Sequence, residues 1–391
     1  MPDVSHKLLS FIHYLIAGCI VLSLLMFFLA ENGRANAFPT YLLAIGVLIA
    51  LPFSEVRSRI AAMPGIPLVL AIALIEYLAI SAWWSDHGSI TQVFRHQGYA
   101  LLILVFVLSL NLASQRFDRF LDLVLGLTIA AATVSAVYSI YLHFALPEYQ
   151  PLHEPRLYGL GRLSNPVISA VSYGFATILA AHLLIQRQKI WQRSLLGACV
   201  LLLLIAIALA GTRTAWLALG IGVGAGLAMR YRERGLLLFA GVLFVTGVVA
   251  VAALGWEDLA KRGLSFRPEI WAEFIGRSFN ANPILGAGSG SNSHWVSSIE
   301  TFKHPHSIFI SAFFFGGIIG LVLLIGLFTT CARHLYLSDD SEVKMLAVMT
   351  LSYGVTVGIF DGDNVLTKID YLWWVVWFPV GVTLCVPARR V

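Results

Sequence analysis

The chain has 391 residues, 58% of them hydrophobic and only 12% charged, with a mean hydropathy of +0.82 and a formal net charge of +5. A soluble protein of two or three domains, which the length alone would suggest, is excluded because so few charged groups cannot clothe a water-facing surface. Apolar runs of about 20 residues recur along the sequence, each long enough to cross ~30 Å of hydrocarbon as a helix. The expected fold is therefore an all-α polytopic integral membrane protein, one membrane-embedded domain over residues 1–391.

The pattern predicts twelve membrane helices, at 8–30, 38–53, 66–84, 98–113, 120–146, 166–185, 194–211, 214–229, 235–254, 306–330, 343–360 and 371–387. The first follows Lys7 and outruns the about 7–15-residue apolar core of a signal peptide. Despite the A-x-A-like Ala35-Asn-Ala37, an uncleaved helix is expected. The seventh and eighth helices divide at Gly211-Thr-Arg213; unbroken, they would form one run of about 36 residues, too long for a tilted span.

The connecting segments set the orientation. Lys7, Arg57, Arg59, Arg116, Arg119, Arg187, Lys189, Arg193, Arg230, Arg232, Arg234, Arg333, Lys344, Arg389 and Arg390 fall on one side. The positive-inside rule makes that side cytoplasmic, with both termini inside. The net charge thus follows from topology and implies no nucleic acid. The outer face carries loops at 85–97 and 147–165 and a large excursion, 255–305, between helices nine and ten. Cys19, Cys199, Cys331 and Cys385 show no C-x-x-C spacing, so neither a zinc site nor a disulfide framework is indicated.

Against that bias, Arg34, Arg95, Arg156, Arg162, Arg213, Lys261, Arg262, Arg267, Arg277, Lys303 and Lys368 lie on the outer side. Loop solvation accounts for most of them. Arg213 differs, because its loop is nearly absent and the guanidinium must sit at the membrane boundary. It either snorkels to headgroups or binds an anion through its rigid fork. Arg267 precedes Pro268, a residue favoured at a helix start, so a helix is expected from Pro268 to Phe279. Leu264, Trp271, Phe274, Ile275 and Phe279 would give it an apolar side suited to the interface. Its N–H groups and Arg267 would converge on a spot favourable for phosphate.

His304 and His306 flank Pro305 where the tenth helix begins, with Lys303 beside them. A neutral histidine there can serve as a general base. Two histidines could instead ligate a metal, but no third ligand stands at suitable spacing. Gly286-Ala-Gly-Ser-Gly290 follows no strand and reads as a turn. Asp361-Gly-Asp363 has the D-x-D form of a metal motif but also that of an ordinary acidic loop. Glu76 lies inside the third helix, where a carboxylate is a functional candidate by default, and His143 sits near the outer end of the fifth.

Four segments, in order, resemble the O-antigen ligase and polymerase superfamily, and most of all its ligases. They are Gly211-Thr-Arg213-Thr-Ala-Trp216, Arg267-Pro-Glu-Ile-Trp271, Asn282-Pro-Ile-Leu-Gly-Ala-Gly288 and His304-Pro-His306-Ser, with Gly316-Gly317 following. The family usually reads His-Asn at the last site, whereas this chain reads His306-Ser307. The resemblance implies a GT-C-like, inverting glycosyltransferase that needs no metal or other cofactor and faces the periplasm from the bacterial inner membrane. Its donor would be a glycan on undecaprenyl diphosphate and its acceptor a lipid A–core sugar. Arg213 and Arg267 would hold the diphosphate and His306 would be the catalytic histidine. His304, Lys303 and Arg162 would be further substrate contacts. A polymerase using the same donor is the alternative within the family. A transporter, the alternative outside it, would show repeats and charges near the bilayer midplane; this chain instead concentrates its unusual charges at one face, and no repeat is visible.

Overall fold

A computed structural model describes residues 2–30, 32–86, 88–146, 156–255, 266–296 and 301–387. All twelve expected segments are helical. In chain order the helices are α1 (Pro2–Leu29), α2 (Gly33–Ala50), α3 (Ser54–Ala61), α4 (Gly65–Ser81), α5 (Ile90–Arg116), α6 (Phe120–Ala145) and α7 (Pro166–Gln186). There follow α8 (Ile190–Ala210), α9 (Arg213–Arg230), α10 (Gly235–Leu254), α11 (Arg267–Ala281), α12 (Ile308–Leu337) and α13 (Glu342–Phe360). A π-helical turn, Trp373–Trp377, then runs into α14 (Phe378–Cys385). Two short strands, β1 (Trp295–Val296) and β2 (Thr301–Phe302), pair antiparallel within the large excursion.

Among the described residues, nine helices are long and apolar enough to cross a bilayer, or ten if the pair formed by residues 37–50 and 54–61, bent by 103°, counts as one. The expectation of twelve crossings is therefore matched in helices but not in spans of full length and hydropathy. The reason is burial. Helix α9 has an arginine at each end and buries Thr214, Trp216 and four glycines. The 373–385 segment is short and almost wholly enclosed. Helices shielded by protein are released from the length and apolarity that lipid contact demands.

The turns that matter have local causes. Gly211 ends α8 in the left-handed conformation (φ 64°) that glycine adopts without steric cost. Thr212 is extended and Arg213 opens α9. Arg156 straps this hairpin from outside, its Nε donating to the Ala210 carbonyl (2.8 Å) and its Nη2 to Thr212 Oγ1 (3.0 Å). Ser307 caps α12, its hydroxyl accepting from the Ile310 N–H.

The glycine-rich segment is a turn, as expected, but one docked into a broken helix. Asn282 Oδ1 accepts from the Ile284 and Leu285 N–H groups. The Ala287 and Gly288 N–H groups donate to the Phe314 and Phe315 carbonyls, and the Ile318 N–H donates to Pro283. These bonds satisfy groups freed where α12 kinks at Gly317 (φ 60°, ψ −161°). Tyr77 of α4 closes the joint by donating to the Leu285 and Gly316 carbonyls.

The core at the other side of the site is aromatic. Trp373, Trp374, Trp377, Phe27, Phe106 and Phe378 are fully buried. The Trp377 and Trp373 indole N–H groups donate to the Val365 and Thr367 carbonyls. They fasten the 361–372 connection against the bundle.

Candidate functional site

Arg213 at the start of α9 and Arg267 at the start of α11 line one cavity of about 260 Å³, with Thr214, Leu217, Pro268, Trp271 and Phe360. The anticipated helix at Pro268 therefore forms and brings the two guanidinium groups together. Helix α11 sits where it does because Ile270, Phe274 and Ser278 are buried, with Phe274 packed edge-on against Phe314 of α12. Arg267 Nη2 donates to Thr214 Oγ1 (3.3 Å), and its guanidinium lies 5.8 Å from the Phe360 ring centroid. Burial works against the Arg267 charge and lowers its pKa; nearby Asp361 counters that effect and Arg213 adds to it. Two cations sharing a partly desolvated pocket are stabilised when an anion binds between them.

A second cavity, about 190 Å³, opens from the same arginine. It lies between α9 (Arg213, Trp216, Leu217, Gly220) and α10 (Leu243, Thr246, Gly247, Ala250, Leu254). Its wall is apolar, and α10, which packs chiefly on α9, buries only Gly235.

His306 occupies the left-handed region (φ 53°), an unusual conformation for a side chain with a Cβ. Its backbone N–H donates to His304 Nδ1 (3.3 Å), and the two rings lie 4.0 Å apart. His306 Nδ1 is paired with Asp361 Oδ1 (3.2 Å), and Tyr371 donates its hydroxyl to Asp361 Oδ2 (3.0 Å). Asp361 is only 3% exposed. Burial disfavours its charge, but the His306 hydrogen bond, both imidazoles and the Gly362 N–H outweigh that and hold its pKa below the ordinary carboxylate value. A carboxylate on Nδ1 fixes the tautomer whose basic nitrogen is Nε2. His304 is different. Burial first, then His306, push its pKa down to about 4, so it is a neutral hydrogen-bond acceptor near pH 7.

The other anticipated residues separate. Arg162 donates to the Ile369 carbonyl and lies near Asp370, so it braces the 361–372 connection and does not line the arginine cavity. Lys303 is exposed, and its carbonyl accepts from Ser293 Oγ (2.8 Å). Arg277 donates to the Asn292 and His294 carbonyls and lies 5.1 Å from both the Phe274 and Phe314 rings. Glu76 is half-buried on α4. Trp256, Lys261, Arg262, Leu264, Arg389 and Arg390 lie outside the described residues, as does the side chain of Arg34.

Sequence reasoning missed the role of Asp361. Its segment read either as a D-x-D metal motif or as an ordinary acidic loop, and among the described residues no three His, Cys, Asp or Glu side chains are placed to hold a metal. Asp361 is instead occupied by His306 and Tyr371. The available signal was positional: His306 and Asp361 stand at the same end of consecutive long helices, α12 and α13. Asp363, two residues on, is pushed up to about 6 by burial, and its Oδ1 is buried with no hydrogen-bond partner.

Two comparisons bear out the resemblance carried by the motifs. Residues 198–325 match the model of the O-Antigen ligase family, a stretch that contains Arg213, Arg267, His304 and His306. Over 367 residues the chain is 27% identical to the O-antigen ligase of Pseudomonas aeruginosa, covering 93% of this chain and 88% of that protein.

Proposed function

We propose that this multi-pass membrane protein is a glycosyltransferase of the O-antigen ligase type. It transfers a glycan from undecaprenyl diphosphate to a hydroxyl of a lipid A–core sugar, at the periplasmic face of the bacterial inner membrane. The observation that carries the proposal is the Phe360–Asp361 junction. Phe360 lines the cavity shared by Arg213 and Arg267, and Asp361 holds His306. An anion site and an oriented base are thereby joined through adjacent residues.

The chemistry follows in one displacement. The diphosphate sits between Arg213 and Arg267, and the apolar groove between α9 and α10 takes the first part of the polyprenyl chain. The acceptor hydroxyl attacks the anomeric carbon as its proton passes to His306 Nε2. The bond from that carbon to the diphosphate oxygen breaks, and its electron pair leaves with the diphosphate. A single backside attack inverts the anomeric configuration. The growing negative charge meets two guanidinium groups, each charged hydrogen bond contributing about 1.5–3 kcal/mol, so charge compensation falls to arginine without a metal ion. Asp361 stabilises the imidazolium that forms, as an orienting carboxylate does in a triad.

The test mixes purified protein with undecaprenyl-diphosphate glycan and lipid A–core in the presence of chelator, with products resolved on a gel. Ligated lipopolysaccharide is expected. Longer lipid-linked glycan in its place would make the protein a polymerase, and loss of transfer on chelation would refute metal independence. Arg267→Ala and Arg213→Ala should each lower transfer by at least about tenfold; full activity in either variant would remove that arginine from the site.

A further inference from the structure

The two described non-glycine residues with positive φ are His306 (φ 53°) and Phe266 (φ 56°), the residue immediately before Arg267. One aromatic ring spans them. Phe302 has its centroid 6.4 Å from His306, nearly perpendicular to it, and 6.3 Å from Phe266. On its strand pair Phe302 stands directly across from Trp295, and the two rings stack at 5.5 Å with only 21° between their planes. Buried aromatic pairs meet at steeper angles, from 47° for Phe106–Trp373 to 87° for Phe27–Phe28. A parallel stack leaves flat faces available rather than interlocking them. Trp295 and Phe302 are half-buried, and Phe266 is 48% exposed.

The stack is held in place. Ser293 Oγ donates to the Lys303 carbonyl (2.8 Å) across the base of the hairpin. Arg277 grips the Asn292 and His294 carbonyls just before Trp295. The half-buried Arg277, stacked on Phe274 and Phe314, thus fixes the backbone that carries Trp295.

We propose that Trp295 and Phe302 form a platform for a pyranose ring, the sugar subsite of the transfer site. The inference rests on the reaction proposed above. In that reaction the sugars at the reacting centre lie between the diphosphate, held beside Phe266 by Arg267, and the base, His306. Phe302 occupies that interval. The C–H face of a pyranose is flat and apolar, and it gains dispersion contact and sheds water when laid on an aromatic face. Hydroxyl-lined edges remain outward for hydrogen bonds. The ring comes from one of two sources, the donor's first sugar or the acceptor's terminal sugar.

The experiment uses full-length protein in nanodiscs and measures three quantities. They are affinity for sugar-free undecaprenyl diphosphate, affinity for the same lipid carrying its glycan, and KM for lipid A–core with kcat. Trp295→Ala and Phe302→Ala should leave sugar-free lipid binding within about twofold, which also reports that the variants are folded. Either glycan-lipid affinity falls about tenfold, assigning the donor sugar, or KM for lipid A–core rises about tenfold with kcat retained, assigning the acceptor. Trp295→Phe, which keeps a stackable ring, should recover most of the loss. Equal loss for sugar-free and glycan-bearing lipid would make the stack structural and overturn the platform, as would no change in any constant. A wild-type protein that binds undecaprenyl diphosphate but transfers nothing would refute the reaction, and with it the platform's place in that reaction.

Discussion

At His306 the backbone conformation sets where the imidazole points. A left-handed φ on a residue with a Cβ costs about 1–3 kcal/mol and persists only when surroundings enforce it. Here the His304 acceptor on one side and the capped start of α12 on the other enforce it, and the imidazole meets Asp361 as a result. His306→Ala should abolish transfer. Asp361→Asn, which keeps the shape but loses the charge, should lower kcat by about a hundredfold or more with KM little changed, as single-turnover rates would show. The His304 ring gives a separate, pH-resolved outcome. Its folded pKa of about 4 lies below the unfolded value of 6.5. As pH falls between these values, the unfolded chain takes up a proton that the folded one refuses, so stability drops. His304→Asn should flatten thermal stability across that window relative to wild type. Arg213, Arg267 and His306 were legible because each stands at a helix start that proline, glycine or a hydropathy step announces. Asp361 was not, because its partner is 55 residues away and only packing of α12 beside α13 makes them neighbours.

At the scale of elements, the decisive joint is the one between the 283–288 turn and the break in α12. At φ 60° and ψ −161° Gly317 occupies a region open essentially to glycine alone. A Cβ there would lie 2.2 Å from the Ile284 carbonyl oxygen, and one on Gly286 would lie 2.4 Å from the Gly317 nitrogen. Gly317→Ala should therefore cost more than about 2 kcal/mol. It should also release the turn, read as faster hydrogen exchange at Ala287 and Gly288. The α8–α9 hairpin was readable in sequence, since Gly211 and the charge pattern agree on it. The α12 break was not, because a Gly-Gly pair in an apolar helix is ordinary until a distant turn supplies the hydrogen bonds that compensate it. The bracing contact of Arg162 was hidden for the same reason. An outer-face arginine looks like a ligand group until the Ile369 carbonyl is found beneath it.

For the whole molecule, hydropathy conveyed the helices well and the lipid exposure poorly, because a periodicity does not say which helices are ringed by others. The orientation inferred from basic loops predicts that a reporter fused after Val391 is cytoplasmic; modification of it by a membrane-impermeant reagent in intact spheroplasts would reverse the topology. Helix α10 lies at the other extreme from the buried α9, leaning on it and otherwise turned outward. Because it forms one wall of the groove that starts at Arg213, that groove is bounded on one side by an apolar helix of membrane-spanning length that the rest of the protein leaves uncovered. The polyprenyl donor proposed above would enter there without crossing water. Its effective concentration is then a surface density, moles per mole of bilayer lipid, and saturation of the enzyme should track that ratio rather than the amount of donor per volume of solution.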